Sequence, residues 1–254
     1  MSRNFELLFE AGKAQEMLRQ RAEQQQPPTE SSGEEFVPGT PALQIEATAR
    51  EEVTKLVQRL FLIPGPAAPR QVVFAGIEPG NGCSWMCAHT ADILAAQVRG
   101  SVCLVDCDLR VPTLHEEFHV PNHYGLADAL QGTEPIRQFV QQLSQPNLWL
   151  LTCGSPNEES PRLLTLEKMR KRMYELRSEF DYVLLDVAPL ESSNHGLLLG
   201  SWCDGVALVL KENASNRIAA RKALQELEAA RTTVLGAVLN QRTFPIPDSI
   251  YRRL

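Results

Sequence analysis

Large apolar residues recur with two different periods along the chain, and the change between them divides it. Up to about residue 62 they return every three or four positions, as on one face of a helix. Phe5, Leu8, Phe9, Gly12 and Leu18 share such a face, which predicts an N-terminal docking helix within residues 1–22. Val53, Leu56, Val57, Leu60 and Phe61 predict a second helix from Ile45 to Leu62, ended by Pro64 and Gly65. Residues 23–43 between them are polar, rich in proline and nearly free of large apolar side chains. That stretch reads as a disordered linker.

From Gln71 short apolar runs alternate with helical periods. Strands are predicted at 71–76, 101–106, 147–152, 181–186, 204–210 and 234–240, and helices at 84–97, 112–119, 161–179 and 215–231. Runs such as Tyr182-Val-Leu-Leu-Asp186 hold few polar residues before their ends, as strands buried on both faces do. The predicted fold is α/β, a doubly wound and mostly parallel sheet flanked by helices, over residues 44–242, with a tail at 243–254. Ligands of such sheets bind beyond the C-terminal strand ends.

Charge narrows the choice of partner. The net charge of −6 leaves no electrostatic footprint for nucleic acid. No apolar run reaches the roughly 18 residues of a membrane span. The opening Met-Ser-Arg-Asn-Phe-Glu lacks the layout of a signal peptide, so the six cysteines are expected as reduced thiols in the cytoplasm.

The candidate chemistry lies at the strand ends. Val72-Val-Phe-Ala-Gly76 runs into Ile77-Glu-Pro-Gly-Asn-Gly-Cys-Ser84 and then a helix. Strand, glycine loop and helix N-terminus together form a phosphate cradle, because backbone N–H groups converge on one anion. In the pattern G-x-x-x-x-G-K-[ST], Gly82 and Ser84 match, Ile77 takes the first glycine position and Cys83 the lysine position. Nucleotide contacts are therefore expected from Gly80, Asn81, Gly82, Cys83, Ser84 and Trp85. Asp106 and Asp108 follow one apolar strand, with Arg110 next, and Asp186 ends another. Carboxylates placed so suit Mg²⁺ beside a phosphate.

The order h-h-h-D-x-D-x-R, then h-h-h-D-x-x-P, behind a phosphate loop resembles the bacterial tyrosine kinases of capsule and exopolysaccharide synthesis. Leu109–His115, Tyr124–Leu130, Cys153–Asn157, Glu159–Leu164 and Gly236–Asn240 resemble further segments of that family. The opening residues Ser2–Leu8 resemble the start of its exopolysaccharide members. The resemblance implies Mg-ATP or Mg-ADP as ligand, with Ser84, Asp106 and Asp186 at the metal and Asp106 and Asp108 as catalytic carboxylates. It also implies that Asn240 contacts the base and that Tyr251 is the phosphoacceptor. The implied partner is a membrane-bound polysaccharide chain-length (co-polymerase) protein, which would hold the chain at the inner face of the membrane. A homo-oligomer is also implied.

The departures from the family fall at the phosphates and the tail. Cys83 removes the loop's ammonium, Trp85 puts a ring where a small hydroxyl residue is usual, and the C-terminal tyrosine cluster is reduced to Tyr251. A charge-assisted hydrogen bond contributes about 1.5–3 kcal/mol, and more where charge grows on phosphate oxygens. The favoured reading is a regulator with impaired ATP binding and phosphotransfer. An active protein-tyrosine autokinase is the alternative. A partition-type positioning ATPase is a third, but the early loop lysine it needs is absent from Ile77–Pro79.

Two other constellations have a metal or redox reading. His115-Glu-Glu-Phe-His119 matches a zinc-helix pattern, although Pro121 follows and a solvated helix is the expected reading. Cys83 and Cys87, and Cys103 and Cys107, form two C-x-x-x-C pairs that the fold brings toward the same site; buried small residues are the expected reading.

Overall fold

The structure is a computed structural model that describes residues 43–63, 65, 68–154, 166–212 and 217–241. The predicted docking helix at 1–22 and the tail with Tyr251 lie outside the described residues. Of the predicted linker only Leu43 is described, and it is buried in the core.

Seven strands form one sheet. They are β1 (Gln71–Gly76), β2 (Val102–Asp106), β3 (Gln141–Gln142), β4 (Leu148–Leu151), β5 (Tyr182–Val187), β6 (Gly205–Lys211) and β7 (Val234–Asn240). Their order is β3-β4-β2-β5-β1-β6-β7, and every pairing but β3 with β4 is parallel. The α/β, mostly parallel reading holds, with the glycine loop following β1, an interior strand between β5 and β6. β3 was not predicted: its two glutamines carry no apolar period, and the strand exists only through its pairing with Leu150 and Trp149.

Side-chain alternation in the strands builds two cores. Val73, Ala75, Val105, Leu185 and Leu208 face one side, where α4 (Leu126–Gln131), α5 (Leu166–Glu179), α6 (His195–Gly200) and α7 (Arg217–Ala229) pack. Val72, Phe74, Leu104, Leu184 and Val209 face the other. There α1 (Ala47–Val57), its π-turn extension Gln58–Leu62, α2 (Cys83–Gln97) and α3 (Leu114–Glu117) pack. α2 is buried from Met86 to Ala95, so it sits under α1 as a core helix without a wide polar face. No described helix is long and apolar enough to cross a membrane.

The helix predicted at 112–119 is shorter. It ends at Glu117, and His119 takes φ +53°. The N–H of Val120 donates to His115 O and that of His119 to Glu116 O, the paired bonds of a left-handed helix end. His115 and His119 therefore do not share a helical face, which removes the geometry of the zinc reading. Of the four cysteines in the C-x-x-x-C pairs, Cys87, Cys103 and Cys107 are buried, as expected, and Cys83 is half-buried. Cys83 and Cys87 pack with the α2 side, whereas Cys103 and Cys107 sit in the core on the opposite side of the sheet. All four are free thiols.

Candidate nucleotide site

The loop after β1 is shaped by two glycines. Gly80 has φ +79° and Gly82 φ +71°, left-handed conformations that cost an L side chain about 1–2 kcal/mol. Gly82 is the N-cap of the fifteen-residue α2, so the helix's free N–H groups and its positive dipole end open at the loop. The loop is fastened from several sides. Asn81 donates its buried side-chain amide to Val209 O at 3.0 Å. The N–H groups of Leu190 and Glu191, after β5, donate to Gly76 O and Ile77 O.

A third fastening comes from the end of β7. Asn240 Nδ2 donates to Asn81 O at 2.9 Å and to Gly82 O at 3.3 Å. Its Oδ1 accepts the N–H of Gln241 at 2.8 Å, and Gln241 Nε2 donates to Gly80 O at 3.3 Å. A Cβ on Gly82 would collide with the Asn240 amide. The resemblance implied that Asn240 contacts a base; here its amide braces the loop backbone. Gln241 was not foreseen, and its only sequence signal is its place next to Asn240.

The carboxylates converge on the same strand ends. Asp106 and Asp186 are register partners on adjacent strands, 0% and 1% exposed. Asp106 accepts the N–H of Asp108 at 3.2 Å through Oδ1 and that of Leu114 at 3.1 Å through Oδ2. Asp186 Oδ1 is buried without a hydrogen-bond partner. Burial pushes the Asp186 carboxyl up to about 7; the nearby Ser84 and Cys83 side chains oppose the rise, and Asp108 adds to it. Burial, then the Asp186 charge, raises Asp106 well above the usual carboxylate range. Burial also raises the Cys83 thiol, with Asp186 adding to the effect, so Cys83 is a neutral thiol at neutral pH.

Asp108 caps its own turn, accepting the N–H groups of Arg110 at 3.0 Å and Val111 at 3.1 Å. Arg110 donates to Ser192 O at 3.2 Å, tying this turn to the segment after β5. His195 stands within reach of both charges: burial lowers its pKa, Asp108 opposes this and Arg110 reinforces it. Neither His195 nor Ser192 carried a signal in the sequence. Trp85 stacks on His89, with ring centroids 4.0 Å apart. It lines a groove with Leu43, Gln44, His89, Glu116, Glu117 and His119, which includes none of residues 77–84.

These residues fit a divalent cation. An orphaned buried carboxylate oxygen on Asp186, the facing Asp106 and the Ser84 hydroxyl at the helix start are hard oxygen donors of the kind Mg²⁺ takes. The phosphate side of the site is less complete, since a neutral thiol stands where the loop pattern places an ammonium.

No protein-family model matches the chain. Over 171 residues it is 31% identical to the tyrosine-protein kinase YwqD of Bacillus subtilis, covering 67% of this chain and 72% of that one. It is likewise 31% identical over 169 residues to the putative tyrosine-protein kinase EpsB of Ralstonia solanacearum. That match takes in 66% of this chain but only 22% of EpsB. Among solved structures, the kinase domain of the Escherichia coli tyrosine kinase ETK superposes with a TM-score of 0.72 at 21% identity. The superposition spans 84% of this chain and 86% of that one, and shows a shared fold.

Proposed function

The chain belongs to the bacterial tyrosine-kinase family, and from that premise we propose that it acts as a regulator in exopolysaccharide or capsule synthesis, with weak nucleotide binding and little phosphotransfer. The observation that carries this reading is Cys83. It occupies the lysine position of the loop, and its thiol is held neutral by burial and by Asp186. Phosphoryl transfer rests on neutralising charge that grows on the phosphate oxygens. Ser84, Asp106 and Asp186 supply ligands for Mg²⁺, which would offset part of that charge. Gly80, Asn81 and Gly82 supply backbone N–H groups for the phosphates. An ammonium donor at position 83 is missing from the set.

The remaining parts of the reading follow from the family. Residues 1–22 would dock on a membrane-bound chain-length protein and hold the domain at the inner face of the membrane. Mg-ADP or Mg-ATP would be a weakly held ligand, and an oligomer of this chain is compatible with the role. The intact Asp106, Asp108 and Asp186 favour the second reading, an active autokinase phosphorylating Tyr251. Incubating the full-length protein with MgATP and following phosphotyrosine by mass spectrometry separates the two. The regulator reading expects no phosphate on Tyr251 or any other tyrosine, and stoichiometric tyrosine phosphorylation would replace it with the kinase.

A further inference from the structure

Trp85 turns away from the glycine loop. Its ring stacks on His89 and lines a groove of about 520 Å³ with Leu43, Glu116, Glu117 and His119. Three elements build the walls: the first turns of α2, the short α3 with its left-handed end, and the segment that leads into α1. The floor is held in place. His89 is 2% exposed, and its ring nitrogens lie 2.8 Å from Trp85 O and 3.4 Å from Gln44 O. The indole is therefore fixed on one face, and what stays open of the half-buried ring is turned to the groove.

The chemistry of this groove selects for a cation. Glu116 and Glu117 line it, and among the described residues no lysine or arginine does. The ion-pair neighbour of Glu116 among those residues is His115, at 4.0 Å, and Glu117 has none. Glu51 and Glu52 on α1 differ in this respect, since Lys55 holds them at 3.1 and 2.7 Å. A metal ion is a poor occupant, because among the described residues no three metal-binding side chains come together. An apolar peptide would find little to cover, because Leu43 is already buried. A carboxylate pair beside an open indole suits a guanidinium. Its planar face stacks on an aromatic ring while its N–H fork donates to carboxylate oxygens.

We propose that this groove is a docking site for an arginine side chain presented by a separate partner protein, with the guanidinium seated between the Trp85 ring and the carboxylates of Glu116 and Glu117. The site also has a consequence for the strand-end carboxylates. Trp85 directly follows Ser84. The N–H of Leu114, the first residue of α3, donates to Asp106 Oδ2 at 3.1 Å. A docked arginine therefore touches both elements that carry the candidate Mg²⁺ ligands. That consequence rests on the regulator reading; the binding itself does not.

An NMR titration of the full-length chain with the peptide acetyl-Gly-Arg-Gly-amide, without nucleotide, tests the binding. The Trp85 indole N–H and the amides of Glu116 and Glu117 should shift together and saturate at millimolar peptide. Citrulline in place of the arginine keeps the shape and removes the charge, and should weaken binding about tenfold. Glu116→Gln combined with Glu117→Gln should weaken it by a similar factor, and unchanged signals from β1 show that this variant is folded. No shift at millimolar peptide overturns the proposal. Equal binding of the citrulline peptide overturns it too, as does undiminished binding by the double variant. An equal response at Glu51 and Glu52 would mark general charge attraction and also overturn it. Signals of Arg3, Arg19 or Arg21 that move in the double variant without peptide would put this chain's own residues in the groove and overturn the separate partner.

Discussion

Asp106 and Asp186 stand opposite one another at the ends of two adjacent parallel strands, both all but removed from solvent. Two carboxylates so placed do not both ionise readily: burial raises both, with the Asp186 charge adding to the rise at Asp106 and the Asp108 charge adding to it at Asp186. A proton and a divalent cation are therefore alternative solutions to the same electrostatic problem, and the pair is where the protein's response to pH and to Mg²⁺ should be read.

The pH response has a definite sign. The Asp186 carboxyl lies at about 7 in the folded chain against an ordinary 3.8. Between those values the folded state holds a proton that the unfolded chain has released, so this group's stabilising contribution is present below the lower value and lost as pH rises through the upper one. Tm should fall by several degrees between pH 5 and pH 8, and Asp186→Asn should flatten that fall. Mg²⁺ at pH 8 should raise the Tm of the unmodified protein and leave that of Asp186→Asn unchanged. Equal pH slopes in the two proteins would contradict the assignment.

Gly82→Ala is expected to destabilise the domain by about 1–2 kcal/mol from its left-handed backbone, and further because the new Cβ meets the Asn240 amide. Gly236→Ala is the contrasting case. Nothing lies within 4 Å of a Cβ there, so urea denaturation should show a change of under about 0.5 kcal/mol.

Asn240→Ala removes two donors to the loop and the acceptor for Gln241 N–H. Net hydrogen-bond contributions of about 1 kcal/mol each set a loss of roughly 1–3 kcal/mol. Faster amide exchange should appear at Asn81 and Gly82 rather than across the sheet. A uniform change, or none at the loop, would show that the brace is incidental.

The sheet was legible in the sequence because its strands are nearly pure apolar runs ending in Asp106, Asp186 or Asn240. Which core takes Val72 and which Val73 was not legible, because an unbroken apolar run has no period to mark its faces. β3 was hidden because a pair of glutamines has no period, and α3 was overestimated because its left-handed end falls on His119, which does not announce such a turn as glycine would. The glycine loop and the carboxylates were legible as residue types at strand ends. The Asn240–Gln241 brace and the approach of His195 to Asp108 were not, since both depend on which strand ends lie side by side.

Trp85 bears on any attempt to restore the loop. Because its ring stacks on His89, the double variant Cys83→Lys with Trp85→Thr should bind MgATP as the single variant does, while losing about 0.5–1.5 kcal/mol of stability with the aromatic pair. Binding by the double variant alone would mean that the ring obstructs the cradle.

Titration calorimetry with MgATP on the unmodified protein and on Cys83→Lys tests the central claim most directly. One charge-assisted hydrogen bond corresponds to roughly 10- to 100-fold in affinity. The expected result is weak binding by the unmodified chain and a gain of about that size when the ammonium is restored. Micromolar or tighter binding by the unmodified chain, with no gain in Cys83→Lys, would contradict the account.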